Sequence, residues 1–306
     1  MADISRSEVS TLIQEAYSSV LLEAVGTNSV ALSSFRTVSM GTKTQNMPVL
    51  ATLPEAGFVA ESATESEGVK PTADVTWGNK QLVAEEIAVI VPVHENVVDD
   101  ATEDILTQIS TEAGAAIGRK LDKAILFGTD KPASWTSQAL VAAATPITIG
   151  TAQQGRDLAG CFLKGAEAVD EAGWDPSLII GSRGLRYRLA NLRDANGVPV
   201  WQANLSGGPG NGAIQGITAA LVAGRVWDKT VTEGLVVDAS RVIIGVRQDI
   251  TVKVLTEATV GGINLAERDM MALRFKARYA YVLGNTTNSQ GDAPQSPVAK
   301  VVASGS

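Results

Sequence analysis

The chain contains one histidine, His94, followed by Glu95. A helical zinc site of the His-Glu-x-x-His kind needs a second imidazole four residues on, and Val98 stands there. A serine-histidine-aspartate system would have to use His94 as its base, and no GxSxG nucleophile elbow is present. Cys161 shares a helical stripe with Leu158 and Phe162, so it reads as a small core side chain. Glycines 207, 208, 210, 212 and 216 lack a buried strand before them and a Lys-Ser or Lys-Thr after them, so they read as a surface loop. The carboxylates Glu61, Glu65 and Glu67 lack the spacing of a calcium loop. Arg274, Lys276 and Arg278 form a basic strand face compatible with DNA contact, but a surface sheet face or ion pairs with a neighbour is the favoured reading. No catalytic residue, cofactor or metal is expected.

Composition narrows the classes further. The 306 residues suffice for one large domain or two modest ones, and a hydrophobic share of 45% supports a core. A net charge of −8 argues against a nucleic-acid-binding module. The acid is concentrated between residues 51 and 100, where Lys70 and Lys80 are the only lysines or arginines. One cysteine excludes an intrachain disulfide. No apolar stretch approaches the roughly 20 residues that cross a bilayer, so a soluble protein with no membrane partner is expected.

The elements that would position these residues are uneven. Apolar residues from Ile4 to Ala24 recur at helical spacing, and residues 27–53 read as an extended arm. Residues 54–81 carry Pro, Gly and alternating Val75 and Trp77, which predicts an exposed β-hairpin. Such a hairpin is marginal alone in water and must lie on another surface. Ile87, Val89, Val91 and Val93 alternate as a strand, and an acidic junction follows. A helix is predicted over 101–127, with Leu106, Ile109, Ala113, Ile117, Leu121 and Ile125 on one stripe. A second helix covers 157–172, with Leu158, Phe162, Leu163, Ala166 and Val169 inward and Gly173 as its stop. Strands are predicted at 146–149, 178–180, 235–237, 242–246, 250–255 and 273–281, with a short helix at 184–192. Residues 206–216 read as a mobile loop, and 285–306 as a loose polar tail.

Three segments carry a family resemblance: Glu85–Gly128 (strand, acidic joint, long helix), Ile179–Trp201 (IIGSRGLRYRLANLRDANGVPVW) and Leu273–Val282. Their order and spacing resemble the major capsid proteins of tailed bacteriophages, with the Hong Kong 97-type fold. That resemblance implies an α+β fold: an N-terminal arm (1–50), an extended β-hairpin loop (51–84), a peripheral domain (85–149 and 249–284) with a spine helix at 101–127, an axial domain (150–248) and a C-terminal tail (285–306). It further implies a non-enzymatic protein of the virion, assembled in the host cytoplasm. Hexamers and pentamers of this chain would close an icosahedral shell around double-stranded DNA, held on the inner face without sequence specificity. A separate scaffolding protein, a portal and a decoration protein are the implied partners.

Some members crosslink a lysine to an asparagine with a glutamate assisting. Here Asp269 and Lys276 fall at the asparagine and glutamate positions, so no crosslink is expected, with Lys70 and Asn264 the nearest alternatives. Inter-subunit contact is expected from Glu61, Glu65, Glu67, Lys70 and Trp77 on the hairpin, meeting Arg119, Lys120 and Lys123 near the helix end. The competing readings are an encapsulin-type nanocompartment shell and a soluble α/β enzyme built on the axial region.

Overall fold

The computed structural model describes residues 29–50, 77–99, 105–150, 157–192, 211–214, 216–222, 226–284 and 295–303. In chain order the described elements are helix α1 (Val30–Ser34), strands β1 (Arg36–Ser39), β2 (Thr44–Leu50), β3 (Trp77–Val83) and β4 (Glu85–His94), helices α2 (Glu95–Asp99), α3 (Ile105–Leu126) and α4 (Leu140–Ala143), strand β5 (Thr145–Thr148), helix α5 (Leu158–Glu171), strand β6 (Leu178–Ser182), helix α6 (Leu185–Ala190), and strands β7 (Asn211–Ile214), β8 (Ile217–Val222), β9 (Gly234–Val237), β10 (Val242–Leu255), β11 (Thr259–Val260), β12 (Ile263–Asn264), β13 (Met270–Leu283) and β14 (Val298–Val302). The mixture of helix and sheet is the α+β class expected.

Two sheets organise these elements. The first has the order β1-β10-β13-β4, with β1 parallel to β10 and the other pairs antiparallel. Alternation builds its two faces: Leu273, Phe275, Ala277 and Tyr279 are buried, while Arg274, Lys276 and Arg278 are half-buried on the other side. On β4, Ile87, Val89 and Val91 pack against the core between exposed neighbours, and Val93 continues the alternation half-buried. Helix α3 covers the apolar face through Ala113, Ile117, Leu121 and Ile125.

The second sheet has the order β5-β14-β9-β6-β8-β7. Its strand β6 is buried throughout because each face meets a core. Leu178 and Ile180 join the core shared with α3, and Ile179 joins Phe162 and Val169 of α5. Asp157 caps α5 by accepting from the Gly160 amide at 2.9 Å, and Gly173 ends it with φ of 78°.

Several expectations need correction. The tail reading of 285–306 fails at Val298–Val302, which forms β14 between β5 and β9 with Val298, Ala299 and Val301 fully buried. The two strands at 242–246 and 250–255 are one strand, β10, interrupted by register shifts between Val246 and Thr251. The domain boundary at 248/249 therefore falls inside a hydrogen-bonded ladder, where a bulge bends the strand without ending it. Strand β5 was assigned to the peripheral domain but pairs into the second sheet.

Residues 30–34, read as extended, are helical, and residues 44–50, counted with the arm, pair with β3. The loop at 206–216 contains β7 at 211–214, an edge strand whose backbone pairs with β8. Leu163 is 47% exposed, because one residue past Phe162 turns it off the buried stripe. The expected helix at residues 3–25 and the first residues of the helix at 101–127 lie outside the described residues, as does the hairpin tip.

Candidate functional site

The residue types that could carry chemistry are dispersed. His94 ends β4 opposite Met270 and is exposed, and the neighbouring Glu95 amide donates to the Asp269 carbonyl at 3.0 Å. Cys161 is completely buried on α5, its Sγ 3.8 Å from the Thr148 carbonyl. Among the described residues no group of three or more His, Cys, Asp or Glu could hold a metal ion, and no helix is long and apolar enough to cross a membrane.

The structure instead builds surfaces that project from the core. Strands β2 and β3 pair only with each other, from Thr44 opposite Val83 to Leu50 opposite Trp77. A two-stranded ribbon is marginal by itself, so its root must be pinned. Leu82 and Ala84 pack with Met40, Ile243, Ala280 and Val282. The Lys80 ammonium donates to the Leu283 carbonyl at 2.7 Å, and burial holds its pKa below the ordinary lysine value. Trp135 donates its indole N–H to the Val83 carbonyl at 3.0 Å.

A second anchor holds the chain just after residue 28. Asp122 is fully buried in α3, with Oδ1 accepting from the Ser29 hydroxyl at 2.7 Å and the Ala31 amide at 3.0 Å. Its Oδ2 accepts from the Val30 amide at 3.1 Å. This carboxylate satisfies the orphan amides at the start of α1 and thus fixes a five-residue helix that has little stability alone. Burial pushes the Asp122 carboxyl up from 3.8 to about 6, while the Ser29, Ala31 and Val30 donors pull it the other way. Gly118, one turn earlier, admits Ser29: a Cβ there would lie 3.2 Å from the Ser29 Cβ. Sequence reading missed this anchor. The available signal was Gly118 and Asp122, a glycine and a carboxylate one turn apart inside an otherwise apolar helical register.

Of the expected contact residues, Glu61, Glu65, Glu67 and Lys70 lie outside the described residues. Trp77 stands in β3 opposite Leu50. Arg119, Lys120 and Lys123 occupy the last turns of α3. Lys120 donates to Asp130 Oδ2 at 2.5 Å, and that bond, helped by Lys123, holds the Asp130 carboxyl below its ordinary pKa. Lys120 is thus already engaged within its own chain. The pair flanks a groove of about 360 Å³ between α3 and β4, floored by Ile87, Val89, Ile117 and Trp135.

The comparisons identify this architecture. The model of the phage capsid family matches residues 10–287. A structure from Mycobacterium phage Bobi is 54% identical, with a TM-score of 0.82 and 100% of both chains covered. One from Mycobacterium phage Adephagia is 49% identical, with a TM-score of 0.82 and coverage of 100% of this chain and 99% of the other. One from Mycobacterium phage Cain is 52% identical, with a TM-score of 0.81 and 100% of both chains covered. No match was found among curated proteins. A projecting ribbon, an anchored N-terminal segment and two sheets sharing one core are therefore parts of a shell subunit, and the chain belongs to the phage capsid family as a major capsid protein.

Proposed function

We propose that copies of this chain join as hexamers and pentamers that close the icosahedral head of a tailed phage around its double-stranded DNA. The carrying observation is the family match over residues 10–287, which spans the first sheet, the ribbon and every strand of the second sheet except β14. The ribbon supports the reading physically: it leaves the core as two strands and gains further burial only against another surface. A scaffolding protein, a portal and a decoration protein complete the assembly, which takes place in the host cytoplasm. DNA lies against the inner face without sequence readout, and the shell performs no catalysis. Glu61, Glu65 and Glu67 meet basic groups of a neighbouring copy, with Arg119, Lys120 and Lys123 one candidate acceptor set.

Expression of the chain with its scaffolding protein, followed by sedimentation and electron microscopy, tests the reading. Closed particles built from capsomers are the expected product. A stable monomer at every concentration, with or without scaffold, would overturn it.

A further inference from the structure

One end of the second sheet gathers positive charge. Arg183 follows β6, Arg186 and Arg188 stand on α6, and Lys229 lies in the turn before β9. The pairing of Gly181 with Gly234 brings these segments to the same end of the sheet. A Cβ at Gly184 would lie 3.6 Å from Lys229 Nζ, so the ammonium rests over the turn that opens α6. Local carboxylates are already engaged. Glu233 pairs with Arg188, and Asp228 accepts from the Thr230 hydroxyl at 2.6 Å and amide at 2.9 Å. Arg183, Arg186 and Lys229 have no carboxylate partner among the described residues. Asp175 and Asp238 lie at the opposite end of the sheet, by Leu178, a strand length of roughly 13 Å from Ser182. Helix α6 buries Leu185 and Leu189, which leaves Tyr187 63% exposed. The Arg186 guanidinium sits over the Tyr187 ring, 4.6 Å from its centroid, and donates to the Tyr187 hydroxyl at 2.6 Å. A cation is thus held in place on an aromatic ring that faces outward.

On the reading that the shell encloses DNA, we propose that Arg183, Arg186 and Lys229 form a surface that meets its backbone phosphates. A net charge of −8 makes the whole subunit a poor partner for a polyanion, so contact depends on a local surplus of cations without carboxylate partners. This end of the sheet supplies one. Arginine presents a planar fork that matches a phosphate, and lysine adds a mobile point charge. Arg186 gives up less freedom on binding, because Tyr187 already holds it. Helix α6 has six residues and packs on the core, so it is too short to read a major groove, and contact stops at the backbone. On the basic face of β13, by contrast, Lys276 is already paired with Glu86 at 2.6 Å, and among the described residues no cation there rests on an aromatic ring. Three contacts per copy are individually weak. Repeated around a shell, they hold the outermost DNA while letting it slide, as backbone contacts without sequence readout do.

Duplex binding by the unassembled subunit tests the patch. With a fluorescent DNA duplex of about 20 base pairs, log K against log salt is expected to fall with a slope of about −2.7, the value for three phosphates. R183Q, R186Q and K229Q are each expected to reduce the steepness of that slope by about 1, with an unchanged melting temperature. A slope that the three substitutions together leave intact overturns the proposal. So does a polyglutamate peptide that displaces the duplex at equal charge, because the patch would then suit an acidic protein segment. Reductive methylation of wild-type heads reads the same surface without any substitution, so it stands even where a variant misfolds. Lys229 is expected to react about tenfold less in DNA-filled heads than in heads emptied of their DNA. Equal reactivity in the two overturns the proposal, and so does protection in both, since another subunit would then cover the patch. Failure of the wild-type chain to form shells, with duplex binding intact, counts against the assembly reading alone.

Discussion

The Ser29 hydroxyl donates to Asp122 Oδ1 at 2.7 Å across 93 positions of sequence. Asp122 also accepts from the Val30 and Ala31 amides, so one buried carboxylate joins the beginning of the described chain to the last turns of the long helix α3. Asp122→Ala leaves those amides buried without an acceptor and opens a cavity. A loss of about 3 kcal/mol in urea denaturation of the unassembled subunit is expected. Loss of α1 amide protection in hydrogen exchange should accompany it.

The same residue sets a pH dependence. Its pKa is raised from 3.8 to about 6, so between those values the folded chain binds a proton that the unfolded chain has released. The slope of unfolding free energy against pH is therefore negative for this group. Its contribution is fully present below about pH 4, falls as pH rises toward about 6, and is flat above. Relative to Asp122→Asn, the wild type should lose stability across that window. Parallel curves for the two proteins would show that the carboxyl titrates normally.

Gly234 lies beneath the ring of Phe162. A Cβ there would approach the Phe162 Cζ to 2.4 Å and Cε1 to 2.6 Å. Phe162 is 1% exposed and packs α5 onto the second sheet, so it has no free direction in which to move. Gly234→Ala is expected to cost about 1–3 kcal/mol by thermal or chemical denaturation. A neutral result would mean that α5 can shift as a unit.

Deletion from residue 297 onward should abolish the soluble folded subunit. Strand β14 lies between β5 and β9, and its removal strips both of ladder partners while uncovering α5. A truncated protein with wild-type circular dichroism and denaturation midpoint would contradict this placement.

Cys161 is 0% exposed on the buried face of α5. Its thiol should react with a disulfide reagent only when the subunit opens, at the rate of global unfolding in strong denaturant. Fast labelling of the native protein would show that α5 separates from the sheet independently.

What the residues disclosed alone was what local periodicity encodes. The alternation at Ile87–Val93 and Leu273–Tyr279, the apolar stripe from Leu106 to Ile125, and the Asp157 and Gly173 boundaries of α5 all match the structure, because each depends on neighbours a few positions away. The family order was legible for a similar reason, as a succession of such local patterns along nearly the whole chain.

The tertiary structure decided what depends on distant partners. Val298–Val302 reads as part of a polar end until β5 and β9 supply its hydrogen bonds and α5 its cover. Residues 30–34 become helical because Asp122 accepts from the Val30 and Ala31 amides, which the local Ser29 cap on the Leu32 amide leaves unserved. Lys253 and Arg274 become neighbours only through antiparallel pairing, since a register formed between strands is invisible in either strand alone.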